Sequence, residues 1–151
     1  MTLPEAAVTL LQPQTGAIPT PHPTLVSQPY WDGAARGELL FQRCGACNGI
    51  SHTPAMVCAH CASRDLTWEK SSGKGRIYSW TTVWRPQTPE FTVPYVAVIV
   101  EMDEGWHILS NVIGIEHDAV EVDLPVEVEF HPIQGGITLP YFRPTAANGN
   151  R

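Results

Sequence analysis

The chain has 151 residues, 43% hydrophobic and 16% charged, with a formal net charge of −6; this suits one globular domain, or one domain with a small module, and no apolar run reaches membrane-spanning length. No Lys or Arg lies between Arg85 and Arg143, an interval that holds ten carboxylates. A chain that tracks phosphates needs cations to replace the released counterions, so this charge pattern argues against nucleic acid as a partner.

Residues 1–29 carry six of the fourteen prolines and one charged residue, Glu5. The opening MTLPEAAVTLLQPQTG has no basic start, and its apolar run is too short and broken for a signal peptide. A cytoplasmic setting is therefore expected, in which thiols stay reduced. Residues 1–28 are expected to form an extended, mobile arm, because the prolines forbid a helix and strand alternation is missing. Such an arm is either a tail or a segment that lies along a partner; Leu10, Leu11, Ile18, Leu25 and Val26 are apolar for a pure solvent tail.

Residues 29–43 form a helical lead-in. Pro29 suits a first helical turn, Tyr30, Trp31, Ala34 and Ala35 supply a short apolar face, and Gly37 ends it. Leu39 to Gln42 then reads as a strand running into a cysteine-rich segment, residues 44–70.

All four cysteines of the chain lie there, as Cys44-x2-Cys47 and Cys58-x2-Cys61 with ten residues between the pairs. A two-residue gap lets both sulfurs of a pair turn toward one point, and two such knuckles complete a tetrahedron suited to Zn²⁺. Small neighbours (Gly45, Ala46, Gly49, Ala59, Ala62) let backbone amides approach the sulfurs. Disulfides fit a reducing compartment poorly, and a redox pair would leave two cysteines unexplained. Rubredoxin-type iron would use the same four ligands. His52 and His60 are stand-in ligands that a full thiol set makes unnecessary. A closed four-thiolate site leaves no open coordination position, so it holds the chain together rather than activating water.

Residues 71–144 read as five strands: 75–85, 93–102, 106–115, 126–133 and 137–144. Asp103-Glu104-Gly105 makes a hairpin turn between the second and third. Residues 118–125 give a short helix or connection, and Pro140 marks the last strand as edge-like. The pattern predicts a mostly β protein, a zinc ribbon followed by a five-stranded OB-fold barrel, with an SH3-like barrel as the alternative. Residues 145–151 form a tail.

No catalytic set is visible. The motifs GxSxG and HExxH are missing, as is a phosphate loop. His107, His117 and His131 fall at strand ends or in loops, and the turn alone accounts for Asp103 and Glu104. The aromatics are in surplus. Tyr78, Trp80 and Trp84 share strand parity, and Phe91 and Tyr95 follow across a stiff proline-rich loop. They are either barrel core with a surface Trp, or a ridge for a partner or apolar ligand.

The lead-in YWDGAARGELLFQRC, the knuckles CGAC and CAHC, SGKGRIYSWTTV, PYVAVIVEMDEGWHILSNV, VEVEF and LPYFRP together resemble a known family over residues 30–144. It is that of the acyl-CoA-associated OB-fold proteins, domain of unknown function thirty-five, with an N-terminal rubredoxin-like zinc ribbon. The resemblance implies a non-catalytic accessory subunit bound to a thiolase-like enzyme (a thiolase, an acyltransferase, or a lipid-transfer-protein-like aldolase of steroid side-chain breakdown), in a heterotetramer. It implies Zn, with Fe possible, on Cys44, Cys47, Cys58 and Cys61, and no catalytic residues on this chain. Trp84, Phe91 and Tyr95 are the candidates for the partner surface or a shared acyl-CoA pocket. The alternative for this architecture is a single-stranded nucleic-acid binder, which stacks bases on aromatics in a cationic groove; here the cations are missing. The proline-rich arm has no counterpart in the family core.

Overall fold

The computed structural model describes residues 9–145. The first eight residues of the arm and the tail beyond Thr145 lie outside the described residues. Helix α1 spans Gln28–Ala35, with Pro29 in its first turn and Gly37 at φ 78° just past its end. Both features follow from the missing amide of proline and the freedom of glycine in the left-handed region.

Three strands form the ribbon sheet: β1 (Leu40–Cys44), β2 (Ile50–Ser51) and β3 (Leu66–Lys70), in the order β2-β1-β3. The sequence pattern shows only the first of them, because β2 is two residues long and β3 is half-exposed on both faces. Strand β1 pairs antiparallel with both neighbours.

The remaining strands are β4 (Lys74–Val83), β5 (Tyr95–Met102), β6 (His107–Val112), β7 (Pro125–Pro132) and β8 (Thr138–Pro144). They close into the expected five-stranded barrel, in the order β4-β5-β6-β8-β7, with β7 returning to β4. Strict alternation on β5 drives this closure: Val96, Val98, Val100 and Met102 are buried, while Tyr95, Ala97, Ile99 and Glu101 face outward. With Ile77, Ile108, Val112, Val126 and Phe142 they fill the barrel, and the same cluster runs on through Leu39, Phe41, Trp106 and Tyr30 to the ribbon and helix. The Phe41 and Trp106 rings lie 5.5 Å apart across that junction.

Three expectations need correction. The last strand is not an edge, since β8 lies between β6 and β7. Pro140 is tolerated because its carbonyl, which accepts from Ser110 Oγ at 2.7 Å, points toward β6. The nitrogen of a strand residue points the same way as its carbonyl, and the β6–β8 ladder is the single parallel bridge Val112–Phe142. The missing amide therefore costs no ladder bond. Second, a β-bulge between Ile77 and Ser79 breaks the parity of β4. Of the two readings of these aromatics the exposed one holds rather than the core one: Tyr78 and Trp84 are exposed, and Trp80, opposite the buried Val98, is half-exposed. Third, residues 9–27 are extended but docked. Leu11 and Ile18 are buried, and Leu11 exchanges backbone hydrogen bonds with Ile115 and Gly114, both at 2.8 Å. The arm lies along its own barrel.

Candidate metal centre and partner surface

The two knuckles are built alike. The Asn48 amide donates to the Cys44 carbonyl at 2.9 Å, and the Ala62 amide to the Cys58 carbonyl at 3.0 Å. Each turn ends four residues after its first cysteine in a left-handed residue, Asn48 or Ala62, both at φ 61°. This curls the chain so that amides point at sulfur: Ala46 N–H to Cys44 Sγ at 3.4 Å, Gly49 to Cys47 at 3.4 Å and His60 to Cys58 at 3.3 Å. The four Sγ atoms all lie within 4.8 Å of one another, with Cys44–Cys61 and Cys47–Cys58 each at 3.6 Å. Four thiolates about 2.3 Å from a tetrahedral ion stand ~3.8 Å apart, so this donor set fits a thiophilic metal. The amides of His60 and Cys61 hold the Cys58 thiol down to about 6, and those of Cys47 and Ala46 hold Cys44 below its ordinary value. These two shifts favour the thiolate form. Cys47, despite the Gly49 amide, is pushed up to about 12 by its hydrogen bond with Cys61 and by burial. Cys61, despite the Ser63 amide, is raised by Cys44 and burial, so four thiolates need a cation among them. His60 Nε2 lies 3.0 Å from the Ile50 carbonyl oxygen, and its imidazole is not part of the cluster.

His52 sits between the Tyr30 and Trp106 rings, at 5.8 and 4.7 Å. Burial lowers its pKa to about 4, so it packs as a neutral ring between helix, ribbon and barrel.

A groove of about 400 Å³ opens on the outer side of β5, β6 and β8, lined among others by Phe91, Tyr95, Leu109 and Tyr141, with Gln14 and Ile18 from the arm. No lining residue is Asp, Glu, Lys or Arg. Of the three aromatics singled out above, the structure brings two together here: the Phe91 and Tyr95 rings lie 6.1 Å apart. Trp84 does not line the groove. It is 61% exposed and stands edge-on to His117 at 4.8 Å.

Two family models cover most of the fold. Residues 31–67 match the rubredoxin-like zinc ribbon domain of ChsH2, and residues 68–131 match the ChsH2 C-terminal OB-fold domain. The chain belongs to the ChsH2/DUF35 family. It is 36% identical over 115 residues to the "Probable enoyl-CoA hydratase alpha subunit" of Thermomonospora curvata, covering 76% of this chain and 36% of that one. The chain thus spans about a third of that relative's length. It is 32% identical over 102 residues to a "DUF35 domain-containing scaffold protein" of Methanothermobacter thermautotrophicus, covering 66% of this chain and 76% of that one. Among solved structures, a chain of the "Ltp2-ChsH2(DUF35) aldolase" superposes with a TM-score of 0.76 at 34% identity, covering 83% of this chain and 98% of that one. Among the described residues, no helix is long and apolar enough to cross a membrane.

Two residues that matter in this member of the DUF35 family escaped the sequence reading. Glu104, in the β5–β6 turn, accepts from Ser71 Oγ at 2.5 Å, Ser72 Oγ at 3.0 Å, the Ser72 amide at 3.3 Å and Trp106 Nε1 at 3.1 Å. It ties the barrel to the linker leaving the ribbon. Burial opposes its ionisation, but the bonds from Ser71, Trp106 and Ser72 prevail and lower its pKa. Gln14 is the second; its side chain and amide reach across the arm to Thr92 and Tyr141. The glycines of SGKG, residues 72–75, are the sequence signal nearest to the partners of Glu104, and nothing local marks Gln14.

Proposed function

We propose that this chain is a non-catalytic, zinc-containing accessory subunit that binds and stabilises a thiolase-fold enzyme acting on acyl-CoA thioesters, in a cytoplasmic heterotetramer. The observation that carries this reading is the coverage of the aldolase chain. The match takes in 98% of that chain and 83% of this one, which supports a unit that works inside an enzyme complex rather than alone. The relative named as an enoyl-CoA hydratase alpha subunit supports CoA thioesters as the substrate class.

The residues fit a supporting role. Cys44, Cys47, Cys58 and Cys61 would hold Zn²⁺, or Fe at the same site; the ion would supply a rigid cross-link, since four thiolates complete its coordination. Phe91 and Tyr95 would offer the partner, or the acyl part of its substrate, an uncharged apolar wall, with Trp84 as a separate exposed anchor. Aromatic anchors of this kind carry much of the free energy of protein interfaces. Thiolytic, condensing and retro-aldol chemistry would all reside on the partner.

Reconstitution tests this. The thiolase-like enzyme is assayed on an acyl-CoA thioester alone, with this chain, and with this chain stripped of metal. The proposal expects the isolated chain to turn over nothing, and the enzyme to be more active or more heat-resistant with the intact chain. An enzyme indifferent to the chain in both respects contradicts the proposal.

A further inference from the structure

The arm lies outside both family-model segments, yet it makes the most specific long-range contacts on the barrel surface. Gln14 is only 5% exposed. Its Oε1 accepts from the Thr92 amide at 2.8 Å, and its Nε2 donates to the Thr92 carbonyl at 3.0 Å. A primary amide that bonds both polar groups of one backbone residue imitates a strand neighbour. Its own amide donates to the buried Tyr141 hydroxyl at 3.1 Å, so it is anchored to β8 while it grips the loop. Two residues on, the backbones nearly touch: a Cβ built on Gly16 would lie 2.3 Å from the Glu90 carbonyl oxygen. Leu11, buried in the core cluster, fixes the other end of the strap.

The gripped loop, residues 84–94, carries Phe91 into the groove. Its own bonds are local: the Phe91 amide to the Thr88 carbonyl at 3.2 Å, and Gln87 to the Tyr95 hydroxyl at 2.7 Å. Three prolines stiffen the loop without fixing its direction from the barrel. Trp84, edge-on to His117, and Gln87, bonded to Tyr95 of β5, hold the first half of the loop, and Gln14 holds its second half at Thr92.

We infer that the N-terminal arm is a built-in clamp, and that Gln14 is a positioning residue that sets the second half of the 84–94 loop so that Phe91 and Tyr95 form a ready-made groove wall. A loop held in its binding position before the partner arrives loses less conformational freedom on association, which strengthens binding without any new contact. The consequence for association rests on the reading of Phe91 and Tyr95 as partner surface; the clamp itself does not.

The test uses the full chain and reads amide hydrogen exchange at Thr92, whose N–H is the gripped donor. Gln14→Ala is expected to speed exchange at Thr92 ~10-fold or more, and to speed cleavage after Glu90 by a glutamate-specific protease, while the amides of Val98 and Val100 stay protected. Gly16→Ala, which pushes the strap off Glu90 from a different residue, is expected to do the same, so the result does not hang on one variant. Gln14→Glu keeps an acceptor for the Thr92 amide but loses the donor to its carbonyl. It is expected to keep the Thr92 amide better protected than Gln14→Ala does. Unchanged Thr92 exchange in Gln14→Ala overturns the clamp, and so does Gln14→Glu exchange as fast as that of Gln14→Ala. If the wild-type chain fails to bind a thiolase-like subunit, the proposed function falls, while Thr92 exchange still decides the clamp.

Discussion

Replacing Glu104 by Ala should weaken the junction between ribbon and barrel. The carboxylate faces Ser71 and Trp106, which are 5% and 4% exposed. Without it, the Ser71 hydroxyl at 2.5 Å and the Trp106 indole N–H at 3.1 Å lose their acceptor. An unsatisfied buried donor costs about 1–3 kcal/mol, so two give ~2–6 kcal/mol. The truncation also opens a polar space beside a cleft lined by Arg43, His60 and His107. Water entering there would satisfy part of the loss, which places the expected destabilisation at ~2–3 kcal/mol. Chemical denaturation of the two proteins measures it. The Glu104→Ala, Ser71→Ala cycle should then show a coupling of ~1–2 kcal/mol, because the second substitution removes a donor already stranded. The effect also has a pH signature. A carboxyl whose folded pKa is depressed stabilises above its unfolded value and loses that contribution as pH falls through the folded value. The gap between wild type and Glu104→Ala should therefore be full at pH 7 and shrink in acid below ~4. A gap under ~0.5 kcal/mol at neutral pH, the size of an ordinary surface substitution, would refute this account of the junction.

Cys58→Ser should release the metal and unfold the ribbon, at a cost of several kcal/mol and up to ~10 kcal/mol; elemental analysis with thermal unfolding checks both, and retention of one metal per chain goes against the four-thiolate reading. Ala62→Gly should stabilise the second knuckle by ~0.5–1 kcal/mol, because φ 61° strains an L side chain; a lower denaturation midpoint would speak against it. Alanine at both Phe91 and Tyr95 should leave the melting temperature within a few degrees but weaken partner association ~10-fold or more, since both rings line the groove. Calorimetric titration reads it, and an unchanged Kd removes these residues from the interface.

The features legible in the sequence are those with local causes. The cysteine spacing encodes the convergence of the sulfurs because each knuckle is a self-contained turn. The inward face of β5 encodes itself by alternation, and Gly105, at φ 90°, marks the turn into β6. What stayed hidden depends on distant partners. The parity of Tyr78 and Trp80 was lost to a bulge set by pairing with β5. Pro140 looked like an edge signal because its direction relative to β6 is a property of the closed barrel. Glu104 sits in a turn that explains itself, and its bonds come from Ser71 and Ser72, some thirty residues away. Gln14 and Thr92 lie 78 positions apart, beyond the reach of any periodicity. The arm's prolines truthfully excluded helix, but they carry no information on whether an extended segment is free or docked.

The most direct measurement is co-expression of this chain with a thiolase-like enzyme subunit, followed by size-exclusion chromatography with metal analysis of the peak. The account predicts one heteromeric peak holding both chains in fixed ratio, with one zinc or iron per copy of this chain. Separate elution of two well-folded proteins at micromolar concentration would contradict it.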